Sequence, residues 1–66
     1  MQISFIGAGK VGVSLGKYFI SKGRKVGGYY SLSPESAAWA ANFTNTKQYQ
    51  SIKEIISSSD MIFFTV

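Results

Sequence analysis

Three glycines near the start of the chain, Gly7, Gly9 and Gly12, have the type and spacing to do chemistry. They stand in the run Gly7-Ala8-Gly9-Lys10-Val11-Gly12, a G-x-G-x-x-G pattern. In such a pattern the first glycine permits a tight turn, the second lets the backbone approach a diphosphate, and the third lets a helix close on a strand. Free N–H groups at the helix start, with the positive end of the helix dipole, would then hold phosphate oxygens. The spacing alone is a weak signal, and its worth depends on a strand before it and a helix after it. Lys10 falls in the first helical turn, where a positive charge opposes the dipole. It would either flank a diphosphate there or stay solvated.

The elements needed to position those glycines can be read on both sides of them. Gln2 to Ile6 alternates, with Ile3 and Phe5 on one face, and reads as a short buried strand. From Lys10 to Lys22 the period becomes helical, and Val11, Leu15 and Phe19 are predicted to form one apolar stripe. Gly12 and Gly16 lie beside that stripe. Each costs a helix about 1 kcal/mol relative to alanine, so close packing of the helix on a sheet is expected. Gly23 should end the helix.

Lys25 to Tyr30 reads as a second strand. Ser33, Pro34 and Glu35 form a helix-start signal, and the alanine-rich helix is predicted to reach about Phe43. Trp39 is expected in the core or at a domain contact. Thr46 to Tyr49 carries a faint strand pattern. Ser51-Ile52-Lys53-Glu54 fits a capping box and opens a short helix to about Ser58. Met61 to Val66 is nearly continuously apolar, as in a central strand of a parallel sheet covered on both faces.

This alternation predicts an α/β fold, part of a doubly wound parallel sheet of the Rossmann type. About four strands are expected, with helices on both faces. Residues 1–66 are read as the N-terminal part of a dinucleotide-binding domain, because the last strand belongs inside a sheet. The rest of that domain and any substrate domain would follow.

The end of the second strand bears on the cofactor. NAD-selective sites usually carry Asp or Glu there to hold the ribose 2′-hydroxyl. Tyr29, Tyr30 and Ser31 occupy these positions and none is acidic. A carboxylate would repel a 2′-phosphate, so NADP is favoured over NAD, with NAD left open. Ser31 and Ser33 offer hydroxyls, and the helix starting at Pro34 offers N–H groups. Arg24 lies at the other end of the strand. Tyr30 would pack on adenine or simply cap its strand. Asp60 falls at the end of the sheet away from the cofactor and is assigned no catalytic role.

Composition narrows the remaining classes. The chain has neither cysteine nor histidine, which removes disulfides, Cys-type zinc sites and the commonest general base. No metal site is expected, and the catalytic residues are unassigned. The net charge is +4, but only Lys22, Arg24 and Lys25 cluster, at a helix end where they can be solvated. No nucleic-acid partner is expected. No run approaches the roughly 18 apolar residues of a membrane span, and Met1 leads directly into a strand rather than a signal peptide. A cytoplasmic protein without a membrane partner is expected.

Three stretches carry a family resemblance: I-S-F-I-G-A-G-K-V-G at 3–12, Y-Y-S-L-S-P-E-S-A at 29–37 and S-D-M-I-F-F-T-V at 59–66. Together they resemble the NADP-binding Rossmann domains of the 6-phosphogluconate dehydrogenase-like superfamily. Pyrroline-5-carboxylate reductase, prephenate dehydrogenase and deazaflavin-linked NADP oxidoreductases share that plan. The nearest likeness is to bacterial proteins joining such a domain to a helical C-terminal domain of unknown function. Their pattern tends to carry arginine where this chain has Leu32, which removes a natural partner for a 2′-phosphate.

The resemblance implies that Thr65 and Val66 approach the nicotinamide side and that catalytic residues lie beyond them. It also implies a homo-oligomer formed through the C-terminal domain. The expected function is the cofactor domain of an NADP-dependent oxidoreductase acting on an unknown small molecule. The alternative is a non-catalytic dinucleotide-binding or sensor protein.

Overall fold

Alternation in the first strand sends Ile3 and Phe5 to one side and Ser4 to the other, and layers build on both sides. The computed structural model describes residues 1–65; Val66, expected near the nicotinamide, lies outside the described residues. The strands are β1 (Gln2–Ile6), β2 (Lys25–Tyr30), β3 (Lys47–Gln48) and β4 (Met61–Phe64). The helices are α1 (Lys10–Ser21), α2 (Pro34–Thr44) and α3 (Ile52–Ser58). All strand pairs are parallel, in the order β3-β2-β1-β4.

Right-handed crossovers from β1 through β2 to β3 carry α1 and α2 over one face, where they touch each other. The reversal from β3 to β4 carries α3 over the opposite face, against β1 and β2. The α/β Rossmann-type architecture expected from the alternation is therefore the one formed.

The core under α1 and α2 is aromatic. Phe5 stacks on Tyr29 with ring centroids 4.9 Å apart, and Phe63 approaches Phe5 at 5.6 Å. Ile3, Val13 and Ala40 complete it. On the opposite face Ser4 and Ile55 are fully buried, and the Ser4 hydroxyl bonds that of Ser59 at 2.6 Å. That bond satisfies a polar group that burial would otherwise destabilise.

The helix ends follow their sequence signals closely. Ser33 Oγ accepts from the Ser36 N–H, and Ser51 Oγ accepts from the Glu54 N–H. The expected capping box is displaced by one residue, since Glu54 Oε1 accepts from the N–H of Gln50 at 2.6 Å. Gly23 and Asn45 end α1 and α2 with positive φ. At Gly23 the next N–H, of Arg24, reaches back to the Phe19 carbonyl at 2.8 Å, the Schellman arrangement.

Two expectations are corrected. Leu15 and Phe19 of the expected stripe pack against the core, but the fully buried residues of α1 are Gly12, Val13 and Gly16, and Val11 is 64% exposed. The face without side chains can come closest to the sheet, and its approach turns Val11 outward. Of the two places expected for Trp39 the core is excluded, since it is 57% exposed and stacked on Phe43. Ala37, Ala40 and Ala41 take the inward side of α2 because they let it lie close to the sheet. Among the described residues β4 pairs with β1 alone, and Phe64 is exposed.

Candidate functional site

The G-x-G-x-x-G segment forms the turn between β1 and α1, and its three glycines are glycine for different reasons. Gly7 has φ +109°, a left-handed conformation that strains any residue with a Cβ. Its N–H donates to the Tyr30 carbonyl at 2.7 Å, and its carbonyl accepts from Thr65 Oγ1 at 3.2 Å. Gly12 is required by packing, since a Cβ there would lie 2.6 Å from Thr65 Oγ1. Gly9 is required by neither, for its φ is −82° and a Cβ would meet nothing within 4 Å.

Gly9 is also the N-cap of α1, and it supplies no side-chain hydrogen bond. Ser33 and Ser51 supply such a bond at the starts of α2 and α3. The first intrahelical bond of α1 runs from the Val13 N–H to the Gly9 carbonyl at 3.1 Å. The N–H groups of Lys10, Val11 and Gly12 therefore precede the helical ladder. No acidic residue lies in the first turn of α1 to meet them. A set of oriented donors beside open space can accept an anion of phosphate size.

Of the other residues in the turn, Ala8 is half-buried and packs against the core. Lys10 and Val11 are exposed and border a cavity of about 440 Å³ with Leu15 and Tyr18 along α1. Thr65 sits behind the turn, where its N–H also donates to the Ile6 carbonyl at 2.9 Å.

A second cavity, of about 370 Å³, opens beside Gly7 at the end of β2. Tyr30 and Ser31 border it, together with Ile6, Leu32 and Ile52. Ser31 Oγ accepts from the Ser33 N–H at 3.2 Å. Ser33 does not border the cavity; its hydroxyl caps α2 and donates to Glu35 Oε1 at 3.3 Å. A carboxylate therefore stands close to the end of β2 although the strand's own last residues are not acidic.

Ile52 escaped the sequence reading as a cavity residue, and Glu35 was read only as part of a helix start. Their helix positions were legible from the caps, but nothing local says that the start of α3 reaches the end of β2. At the other end of the sheet Asp60 has a structural task, its Oδ2 accepting from the Gln2 N–H at 2.8 Å. Among the described residues no group of three possible ligands could hold a metal ion. No helix among them is long and apolar enough to cross a membrane.

The whole chain superposes on two crystal forms of UDP-N-acetylglucosamine 3-dehydrogenase from Acidithiobacillus ferrooxidans. The TM-scores are 0.86 and 0.90, with 18% sequence identity in each case. That likeness concerns the fold, and the chain spans only 22% of the length of those structures. No curated protein matches it significantly. A family model described as NADP oxidoreductase, coenzyme F420-dependent, matches residues 2–66. With that match running over nearly its whole length, the chain belongs to the coenzyme F420-dependent NADP oxidoreductase family.

Proposed function

We propose that this domain binds the pyrophosphate of a nicotinamide dinucleotide at Gly7–Gly12, as the cofactor domain of an oxidoreductase. Gly9 carries the reading. Neither its dihedral angles nor any neighbour demands glycine, and the open space beside it leaves room for a partner from outside the chain to come close. The uncapped start of α1 beside it supplies N–H donors for that partner. When bound, the cofactor supplies the hydride chemistry, and this domain orients it.

NADP(H) is the cofactor we favour over NAD(H). The family's description names it, and the Tyr30-Ser31 end of β2 carries no carboxylate of its own. Ser31 and the start of α2 would face the 2′-phosphate, while Lys10 stays at the rim of the turn. Tyr30 would border the adenosine, and Thr65 with Val66 would approach the nicotinamide half. The finer kinship we propose is with 6-phosphogluconate dehydrogenase-like proteins, through the bacterial group with a helical C-terminal domain. On that reading the full protein is a cytoplasmic homo-oligomer with a small-molecule substrate.

Calorimetric titration of the protein with NADPH and NADH, beside the Gly9→Asp variant, tests the assignment. Open space at Gly9 means the variant should keep its melting temperature. Its affinity should fall by at least about tenfold as the carboxylate meets the diphosphate. Unchanged affinity for both cofactors would overturn the site.

A further inference from the structure

Tyr29 is fully buried, and its phenol crosses from β2 to the first turn of α1, where it donates to the Gly12 carbonyl at 2.9 Å. Phe5 stacks on the tyrosine ring and holds it in that direction. The hydroxyl passes beside Gly16, where a Cβ would collide with it and would lie 3.2 Å from the ring carbon that bears it. The missing side chain at Gly16 is what lets the phenol through.

This bond completes a pattern in the glycine turn. The Gly7 carbonyl accepts from the Thr65 hydroxyl, the Gly9 carbonyl from the Val13 N–H, and the Gly12 carbonyl from Tyr29. All three glycine carbonyls are therefore held by the protein itself. The N–H groups of Lys10, Val11 and Gly12 precede the helical ladder and stay available to an anion.

We infer that Tyr29 is a positioning residue for anion binding. Its hydroxyl fixes the first turn of α1 so that those three N–H groups keep their aim before a ligand arrives. The inference rests on the reading of Gly7–Gly12 as the pyrophosphate site. The N-cap of α1 makes no side-chain bond of its own, so a tie from the sheet takes over that anchoring. Donors fixed in advance need not be ordered on binding, which raises affinity. Being fully buried, Tyr29 does this without touching the ligand.

The test is calorimetric titration with NADPH, beside thermal melting, of the wild type, Tyr29→Phe, Gly16→Ala and Ile3→Val. A helical carbonyl also accepts from the N–H four residues on, so Tyr29→Phe leaves no orphaned acceptor at Gly12 and should fold. Its Kd should rise about two- to tenfold, the effect of one net hydrogen bond. Gly16→Ala attacks the same bond from the helix side, by displacing the hydroxyl, and should raise the Kd similarly. Ile3→Val loosens the core at the far end of β1 and has an expected stability cost similar to that of Tyr29→Phe. It should lower the melting temperature and leave the Kd unchanged.

Wild-type affinity in Tyr29→Phe or in Gly16→Ala, with binding still lost in Gly9→Asp, would overturn the positioning role alone. So would an equal rise in Kd for Ile3→Val, because affinity would then merely follow stability. A wild-type protein that binds neither NADPH nor NADH would overturn the dinucleotide reading itself, and the role of Tyr29 with it.

Discussion

Thr65 holds the carbonyl of Gly7, its Oγ1 donating across 3.2 Å from the end of β4. With the Gly7 N–H given to Tyr30, the first glycine of the turn is fixed from both neighbouring strands. The hydroxyl also occupies the space that a side chain at position 12 would need. Thr65→Val keeps the shape and removes the donor. A net hydrogen bond contributes about 0.5–1.5 kcal/mol, so dinucleotide affinity should fall roughly two- to tenfold. Thr65→Ser should restore it. A valine variant that binds like the wild type would leave the hydroxyl without a role in positioning the turn.

Gly16 offers a test of packing in which two effects oppose each other. Alanine there should gain about 1 kcal/mol in helix propensity. Its Cβ, however, would collide with the Tyr29 hydroxyl, which is buried and donates to the Gly12 carbonyl at 2.9 Å. Overpacking of this kind costs about 1–3 kcal/mol, so Gly16→Ala should lower the melting temperature. Adding Tyr29→Phe removes the colliding oxygen and should recover part of the loss. Stabilisation by the alanine alone would contradict the described contact.

Tyr29 also sets an alkaline limit. Burial raises its phenol above the ordinary value of 10.0, opposed by a hydrogen bond with Thr44. The folded state thus holds this proton more tightly than the unfolded chain does. Its contribution is fully present below a pH of about 10 and is lost as pH rises through the folded value. Denaturation midpoints should therefore fall more steeply above pH ~10 in the wild type than in Tyr29→Phe. Parallel curves for the two proteins would show that this phenol is not the group responsible.

Charge near the end of β2 should tune the choice between NADP and NAD. Glu35 is exposed but hydrogen-bonded to Ser33, and it would face a 2′-phosphate with like charge. Glu35→Gln should tighten NADPH about two- to fivefold relative to NADH at low salt, and less at high salt. Leu32→Arg should shift the ratio in the same direction. Titrations at two ionic strengths would decide, and an unmoved ratio in both variants would place recognition of the 2′ position elsewhere.

The sequence revealed what local patterns control. The β1-turn-α1 order, the ends of β2 and the caps at Ser33 and Ser51 each follow from a few adjacent residues. Val11 and Trp39 were misplaced because apolar periodicity ranks side chains by hydrophobicity. In these helices the buried face instead belongs to the smallest residues, Gly12 and Gly16 in α1 and Ala37, Ala40 and Ala41 in α2. Ile52 joined the site only through tertiary placement, whereas Glu35 meets Ser33 two residues before it. Thr65 was singled out only by the family resemblance, as a residue near the nicotinamide, and its hydrogen bond to Gly7 joins positions 58 residues apart.

The missing side-chain cap on α1 has a thermodynamic consequence. A phosphate seated before Gly9 would perform the task that Ser33 and Ser51 perform for their own helices, so folding of this first turn and occupancy become linked. Ligand at a hundredfold excess over its Kd should stabilise the fold by about 2.7 kcal/mol. The effect should appear first as slower amide hydrogen exchange at Lys10, Val11 and Gly12. In this sense the dinucleotide completes the helix that binds it.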